Sequence, residues 1–299
     1  MTARTLAASS SSELLDLIQA EIDGGLKPTL ALVFADLKHD LNALVASLGD
    51  YDMAFVGAST DGGIMDGVVR PQSSVALLLD VDPDAFRVFV GSGDADPTQA
   101  AERLGQVAAD AFDQPQVLAF ASGLFTSGDE LVRAFQRSAG DGVPFFGGYA
   151  GSNFSQLSTH ILTSEGVLPG HLAAVVFDGT RVAIDSVATS GWKPVGEEMV
   201  VTKAEGNTVY ELDGKPILDV FNGYMKLDED RAVNIGLLIR KHLPLSVARG
   251  DGSHVLRASA YVAGKAQGII FAGDIDEGAR VRFCAPPSDD MVDRLVADA

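Results

Sequence analysis

Two glycine-rich stretches gather small polar side chains: GASTDGG at residues 57–63 and VPFFGGYAGSNF at residues 143–154. Glycine lets backbone approach a ligand or another strand closely. Successive backbone N–H groups in such turns form a concave site for anions. Ser59, Thr60, Ser152 and Asn153 add hydroxyl and amide groups, and Asp61 offers a carboxylate to an ammonium group. Gly147, Gly148 and Tyr149 supply close backbone and a ring. These residues are candidate contacts for a small polar ligand. Each also has a plainer use, since turn aspartates and serines bond their own backbone.

Covalent chemistry finds less support. Neither stretch has the G-x-S-x-G strand-to-helix context of a nucleophile elbow. Triads assemble from distant residues, so an uncharacterised hydrolase-like enzyme using Ser59, Thr60 or Ser152 stays an alternative. No G-x-x-x-x-G-K-[ST] is present, which removes a P-loop. The histidines (His39, His160, His171, His242, His254) show no H-x-x-x-H or H-E-x-x-H spacing for zinc. Haem needs only one axial histidine, and His160 and His171, near the second stretch, are the candidates. The one cysteine, Cys284, rules out an internal disulfide or a multi-cysteine metal site.

Composition narrows the partners. The 299 residues carry a net charge of −19, with 41 acidic side chains against 22 basic. Nucleic acid and anionic membrane both require clustered Lys and Arg, so neither is an expected partner. No run of about twenty apolar residues forms a membrane span. The N-terminal MTARTLAASSSS lacks the apolar core of a secretory signal. A cytoplasmic protein without a resident cofactor is the expectation.

The elements that must position these residues follow from periodicity. A helix over 13–22, capped by Ser12, precedes an apolar strand over 29–35, a helix over 37–48 and a strand over 53–58 that enters GASTDGG. A hairpin over 73–81 and 85–90 turns at Asp82-Pro83-Asp84, and a helix follows over 98–112. The pattern then returns: a strand over 116–121, a helix over 129–138, a strand over 143–146 that enters GGYAGS, and strands over 172–178 and 183–188. The order implies an internal duplication of a β-α-β-β-β unit, over about 26–112 and 113–191. Such a pairing brings the two glycine stretches to a shared crevice beyond the carboxyl ends of strands.

A change of character falls near 190–210. Beyond it, turns at Gly206-Asn207 and Asp213-Gly214 separate short strands. A helix opens at Pro216 and runs to 224. Strands are expected over 237–240, 245–249, 255–262, 268–272 and 280–284, with a last helix over 289–297. The expected fold is α/β in the mixed α+β sense: an N-terminal helix and extension (1–25), two pseudo-repeated units (26–200) and a β-rich C-terminal domain (201–299).

GASTDGGI at Gly57, GGYAGS at Gly147, GWKPVG with VTKAEGNTVYELDGKPILDVF at Val201, and GDIDEGARVRF at Gly273 together resemble the FIST sensory domain family. The likeness covers nearly the whole chain from about residue 28, and it is carried by the ordered set of motifs. It implies a bacterial signal-transduction domain that recognises a small ligand, amino acids among the candidates, and signals to a downstream protein or fused output module. Some members resemble haem-binding nitric-oxide sensors, which keeps haem as an alternative cofactor. Arg257 matches an arginine common in the family's C-terminal strands and is the candidate clamp for a ligand carboxylate. Trp192 is a candidate pocket wall, or a packing residue of the C-terminal part. Two departures stand out. Ser152 occupies a position that is often acidic in the family. The family's further C-terminal strand, usually holding a Cys and an Arg, does not follow Ala299, which implies a short copy or part of a longer protein.

Overall fold

A computed structural model describes residues 2–92, 96–122, 128–152, 159–186, 191–225, 244–250, 252–263 and 267–286. It is a mixed α+β structure. Two compact units make up the chain. One comprises Met1–Thr126 and Glu130–Asp185, the other Ser127–Asp129 and Ser186–Ala299.

The first unit runs β1 (Thr2–Ala8), α1 (Ser11–Asp23), β2 (Leu30–Asp36), α2 (Leu41–Leu48), β3 (Ala54–Thr60), β4 (Gly63–Met65), β5 (Val68–Arg70) and β6 (Ser74–Asp80). It continues with β7 (Phe86–Ser92), α3 (Pro97–Ala111), β8 (Pro115–Ala121), α4 (Gly128–Ala139, whose first two residues count with the second unit), β9 (Phe145–Tyr149), β10 (Ile161–Thr163), β11 (Gly166–Leu168) and β12 (His171–Asp178). One sheet has the order β1-β6-β2-β3-β10-β11 and the other β7-β12-β8-β9, while β4 and β5 pair only with each other. In both sheets a central strand lies parallel to a strand with glycine in its interior and antiparallel to the strand on its other side: β2 with β3 and β6, β8 with β9 and β12.

Burial explains why these strands read as unbroken apolar runs. The two sheets face each other across a core of Leu30, Leu32, Val56, Phe120, Val175 and Phe177. The outer face of the first sheet packs on α1 and α2 through Leu14, Ile18, Leu44 and Leu48. The outer face of the second packs on α3 and α4 through Leu104, Leu131 and Phe135. A strand covered on both faces has no solvent side on which to alternate. Each fully buried Leu or Phe contributes about 1.5–3 kcal/mol.

Several expectations are corrected. Thr2–Ala8 form a strand, β1, that pairs with β6 along its whole length, and Ser10, not Ser12, caps α1. The segments over 73–81 and 85–90 do not form a hairpin: β6 lies in one sheet and β7 pairs with β12 in the other. Pro83 and its neighbours form a short 3-10 turn that carries the chain between sheets. Residues 183–186 form no strand. Gly147 and Gly148 sit inside β9, so that strand runs on through the expected turn, while Gly57 lies within β3 as the strand over 53–58 implies.

The second unit contains β13 (Lys193–Glu205), β14 (Thr208–Leu212), β15 (Lys215–Pro216), α5 (Ile217–Met225), β16 (Leu245–Ala248), β17 (His254–Arg257), β18 (Ser259–Ala263), β19 (Gly268–Phe271) and β20 (Arg280–Ala285). Its sheet has the order β17-β16-β20-β13-β14-β19-β18, with β15 beside β14. Lys193–Gly196 belongs to β13, whose pairing with β20 shifts register between Val195 and Met199. Val201, Leu212, Phe271 and Val281 form the core with Ile217 and Phe221 of α5. The strand expected over 237–240 and the helix over 289–297 lie outside the described residues.

Candidate functional site

The carboxyl ends of β2, β3, β8 and β9 converge in the first unit on a cavity of about 350 Å³. Phe34, Ala58, Ser59, Thr60, Asp61, Phe120, Gly148, Tyr149 and Gly151 line it. Its size lies at the lower end of small-molecule sites. Phe34 and Phe120 meet edge to face with centroids 5.3 Å apart. They stand in corresponding places, Phe34 opposite Ala58 across β2–β3 and Phe120 opposite Gly148 across β8–β9.

Two glycines let these strands approach their neighbours. A Cβ at Gly57 would lie 1.8 Å from the carbonyl oxygen of Val33, and a Cβ at Gly147 would lie 1.8 Å from that of Ala119. Gly147 also has φ +141°, a conformation L side chains rarely adopt. The two residues are register partners of Val33 and Ala119. Gly148, by contrast, faces open space.

Ser59 ties the two stretches together. Its hydroxyl donates to the Gly151 carbonyl at 2.7 Å and accepts from the His160 N–H at 3.0 Å. Its backbone N–H donates to the His160 carbonyl, and its carbonyl accepts from Gly151. Ser59 is 1% exposed, which makes it a clasp and a poor nucleophile. The Thr60 hydroxyl donates to the Gly62 carbonyl at 2.8 Å. Asp61 packs against Gly151, its carboxylate about 3.0 Å from where a Cβ there would sit. Asp61 is the one ionisable carboxylate among the described lining residues, and no lysine or arginine is among them.

The remaining candidates are placed as follows. Gly147 supports the cavity wall from β9 without lining it, and Ser152 is half-buried beside Gly151. Asn153 lies outside the described residues. Trp192 and Arg257 belong to the second unit, while every described lining residue belongs to the first. Arg257 is committed elsewhere: its guanidinium pairs with Asp129 and donates to the Asp274 carbonyl at 3.1 Å.

Neither haem candidate lines the cavity. The His171 ring nitrogen Nδ1 lies 2.6 Å from the Pro169 carbonyl. His160 has Nδ1 buried with no hydrogen-bond partner among the described residues, and burial lowers its pKa, favouring the neutral ring. Among the described residues no group of three His, Cys, Asp or Glu side chains is placed to hold a metal ion. No described helix is long and apolar enough to cross a membrane.

Sequence reasoning missed Phe34 and Phe120 as site residues. The signal was present in the matched strands LALVFAD and PQVLAFA, each with a phenylalanine near its carboxyl end.

A mixed α+β domain with a small cleft at strand ends is a common design for binding a small molecule. The chain matches the FIST N domain over residues 29–215, more than half its length, and it belongs to that family, which is sensory and ligand-binding. It is also 28% identical over 150 residues to two uncharacterised proteins of Mycobacterium tuberculosis, from strains CDC 1551 / Oshkosh and H37Rv. Those alignments cover 48% of this chain and 38% of each relative, so the chain spans well under half the length of the curated relatives it matches.

Proposed function

We propose that the chain is a sensory domain that binds a small polar metabolite carrying an ammonium group in the cavity between β3 and β9. The observation that carries this is the cavity lining itself: among the described lining residues Asp61 carries the only formal charge, set against the Phe34 and Phe120 rings. An ammonium group near Asp61 gains a charge-assisted hydrogen bond. The aromatic faces accept the ligand's apolar part and attract its positive charge. The hydroxyl of Thr60 and the backbone near Gly148 and Gly151 add polar contacts. An amino acid fits with its ammonium at Asp61 and its carboxylate toward backbone N–H groups, without Arg257.

Binding passes to a downstream protein or fused output module by favouring one arrangement of β3 and β9, whose ends border the ligand. The corresponding strand orders of the two sheets support a duplicated origin for the cleft. A thermal-shift screen with small amines, amino acids and matched carboxylic acids tests the reading. Saturable stabilisation by ammonium-bearing compounds, lost in Asp61→Asn, supports it. Stabilisation by acids alone would overturn it.

A further inference from the structure

The two short hairpins of the first unit are built alike and placed differently. In β10–β11, Thr163 opposes Gly166 and Ile161 opposes Leu168. In β4–β5, Met65 opposes Val68 and Gly63 opposes Arg70. Each hairpin is followed by proline and a left-handed residue, Pro71 with Gln72 (φ 56°) and Pro169 with Gly170 (φ 66°). Each therefore leaves its hairpin in the same way, toward β6 in one case and β12 in the other.

Their surroundings differ. β10 leaves β12 and its sheet to pair antiparallel with β3 of the other sheet, Leu162 opposite Gly57. Ile161, Leu162 and Thr163 are fully buried as a result. β4–β5 has no such partner among the described residues, and Ile64, Val68 and Val69 are 70%, 52% and 67% exposed. Among those residues β9 is the terminal strand of its sheet. Gly147 stands in β9 as Gly57 stands in β3, each pressed against a carbonyl of the parallel neighbour. Terminal strands with a backbone edge are templates for strand addition.

We propose that the edge of β9 is a docking surface for the β4–β5 hairpin of the same chain. Transferring the observed register of β10 on β3 places Ile64 opposite Gly147, Gly63 opposite Gly148 and Met65 opposite Phe146. The second sheet then becomes β7-β12-β8-β9-β4-β5, matching the six strands of the first. Thr60 and Asp61 lead into β4 and line the cavity together with Gly148 and Tyr149, so docking closes the cavity along that side. The docking itself does not depend on what the cavity binds.

Paired cysteines test it in the full chain carrying Cys284→Ser. Met65→Cys with Phe146→Cys probes the proposed register. Val56→Cys with Thr163→Cys reports the pairing that β10 already makes with β3. The proposal expects both pairs to close within one chain under mild oxidation, read by mass spectrometry of the monomer. Closure of the second pair alone would overturn it, and so would bridges formed only between chains. If the first variant misfolds, hydrogen exchange at the Gly147 amide of the unsubstituted protein decides. Docking predicts slowed exchange that Ile64→Pro accelerates at least tenfold, and an unchanged rate refutes it.

Discussion

Ser59 and Gly151 exchange two hydrogen bonds, each 2.7 Å long: the Gly151 N–H donates to the Ser59 carbonyl, and the Ser59 hydroxyl donates to the Gly151 carbonyl. This clasp joins the end of β3 to the segment just beyond β9 and forms one rim of the cavity. Replacing Ser59 by Ala removes the hydroxyl bond and leaves the His160 N–H without its acceptor. Loss of about 1–3 kcal/mol is expected. Urea unfolding of Ser59→Ala against the parent measures it.

The glycines of β3 and β9 divide sharply by environment. Gly57→Ala and Gly147→Ala each drive a methyl group into a backbone carbonyl that cannot turn aside. Each is expected to lose about 3 kcal/mol or more. Gly148→Ala meets open space and is expected to stay within about 1 kcal/mol of the parent. Melting temperatures of the three variants make the comparison.

Arg257 is expected to matter for stability and not for ligand binding. Its side chain is 12% exposed and Asp129 is 28% exposed, so removing either partner strands a largely buried charge. Arg257→Ala should lose about 2–3 kcal/mol, discounted from a fully buried pair for solvent at Asp129. Titration with an ammonium-bearing ligand, if tolerant of this substitution, separates the structural role from the clamp expected from sequence.

His160 gives a pH signature. Burial lowers its folded-state pKa below the ordinary histidine value. Both states are neutral above that value, so no stability is lost there. As pH falls from about 7 to 5, the unfolded chain takes up the proton first and stability drops, by less than about 1.4 kcal/mol per pH unit. His160→Asn should flatten that slope. Chemical denaturation at several pH values reads the difference.

Much of the first unit was legible because its strands are covered on both faces and therefore apolar throughout. LALVFAD and PQVLAFA announce themselves, and so do the glycines at the ends of their neighbours. Glycine favours turns, so Gly147 reads in sequence as a turn residue, whereas a carbonyl 1.8 Å from its Cβ position demands glycine within a strand, as at Gly57. The β6–β7 hairpin failed for another reason. Adjacent strands flanking Asp-Pro-Asp satisfy every local rule, and only the partnership of β7 with β12 reveals the crossing between sheets. β10 was invisible, since three residues are too few to show a period. The partner of Arg257 lies 128 positions away, beyond any spacing argument.

An amide-resolved NMR titration with small amines and amino acids tests the cavity as a ligand site. Saturable shifts centred on residues 58–61 and 148–151 are expected, abolished for the same ligand by Asp61→Asn. Shifts centred on the second unit around Arg257 and Trp192, or saturable binding indifferent to Asp61→Asn, would contradict it.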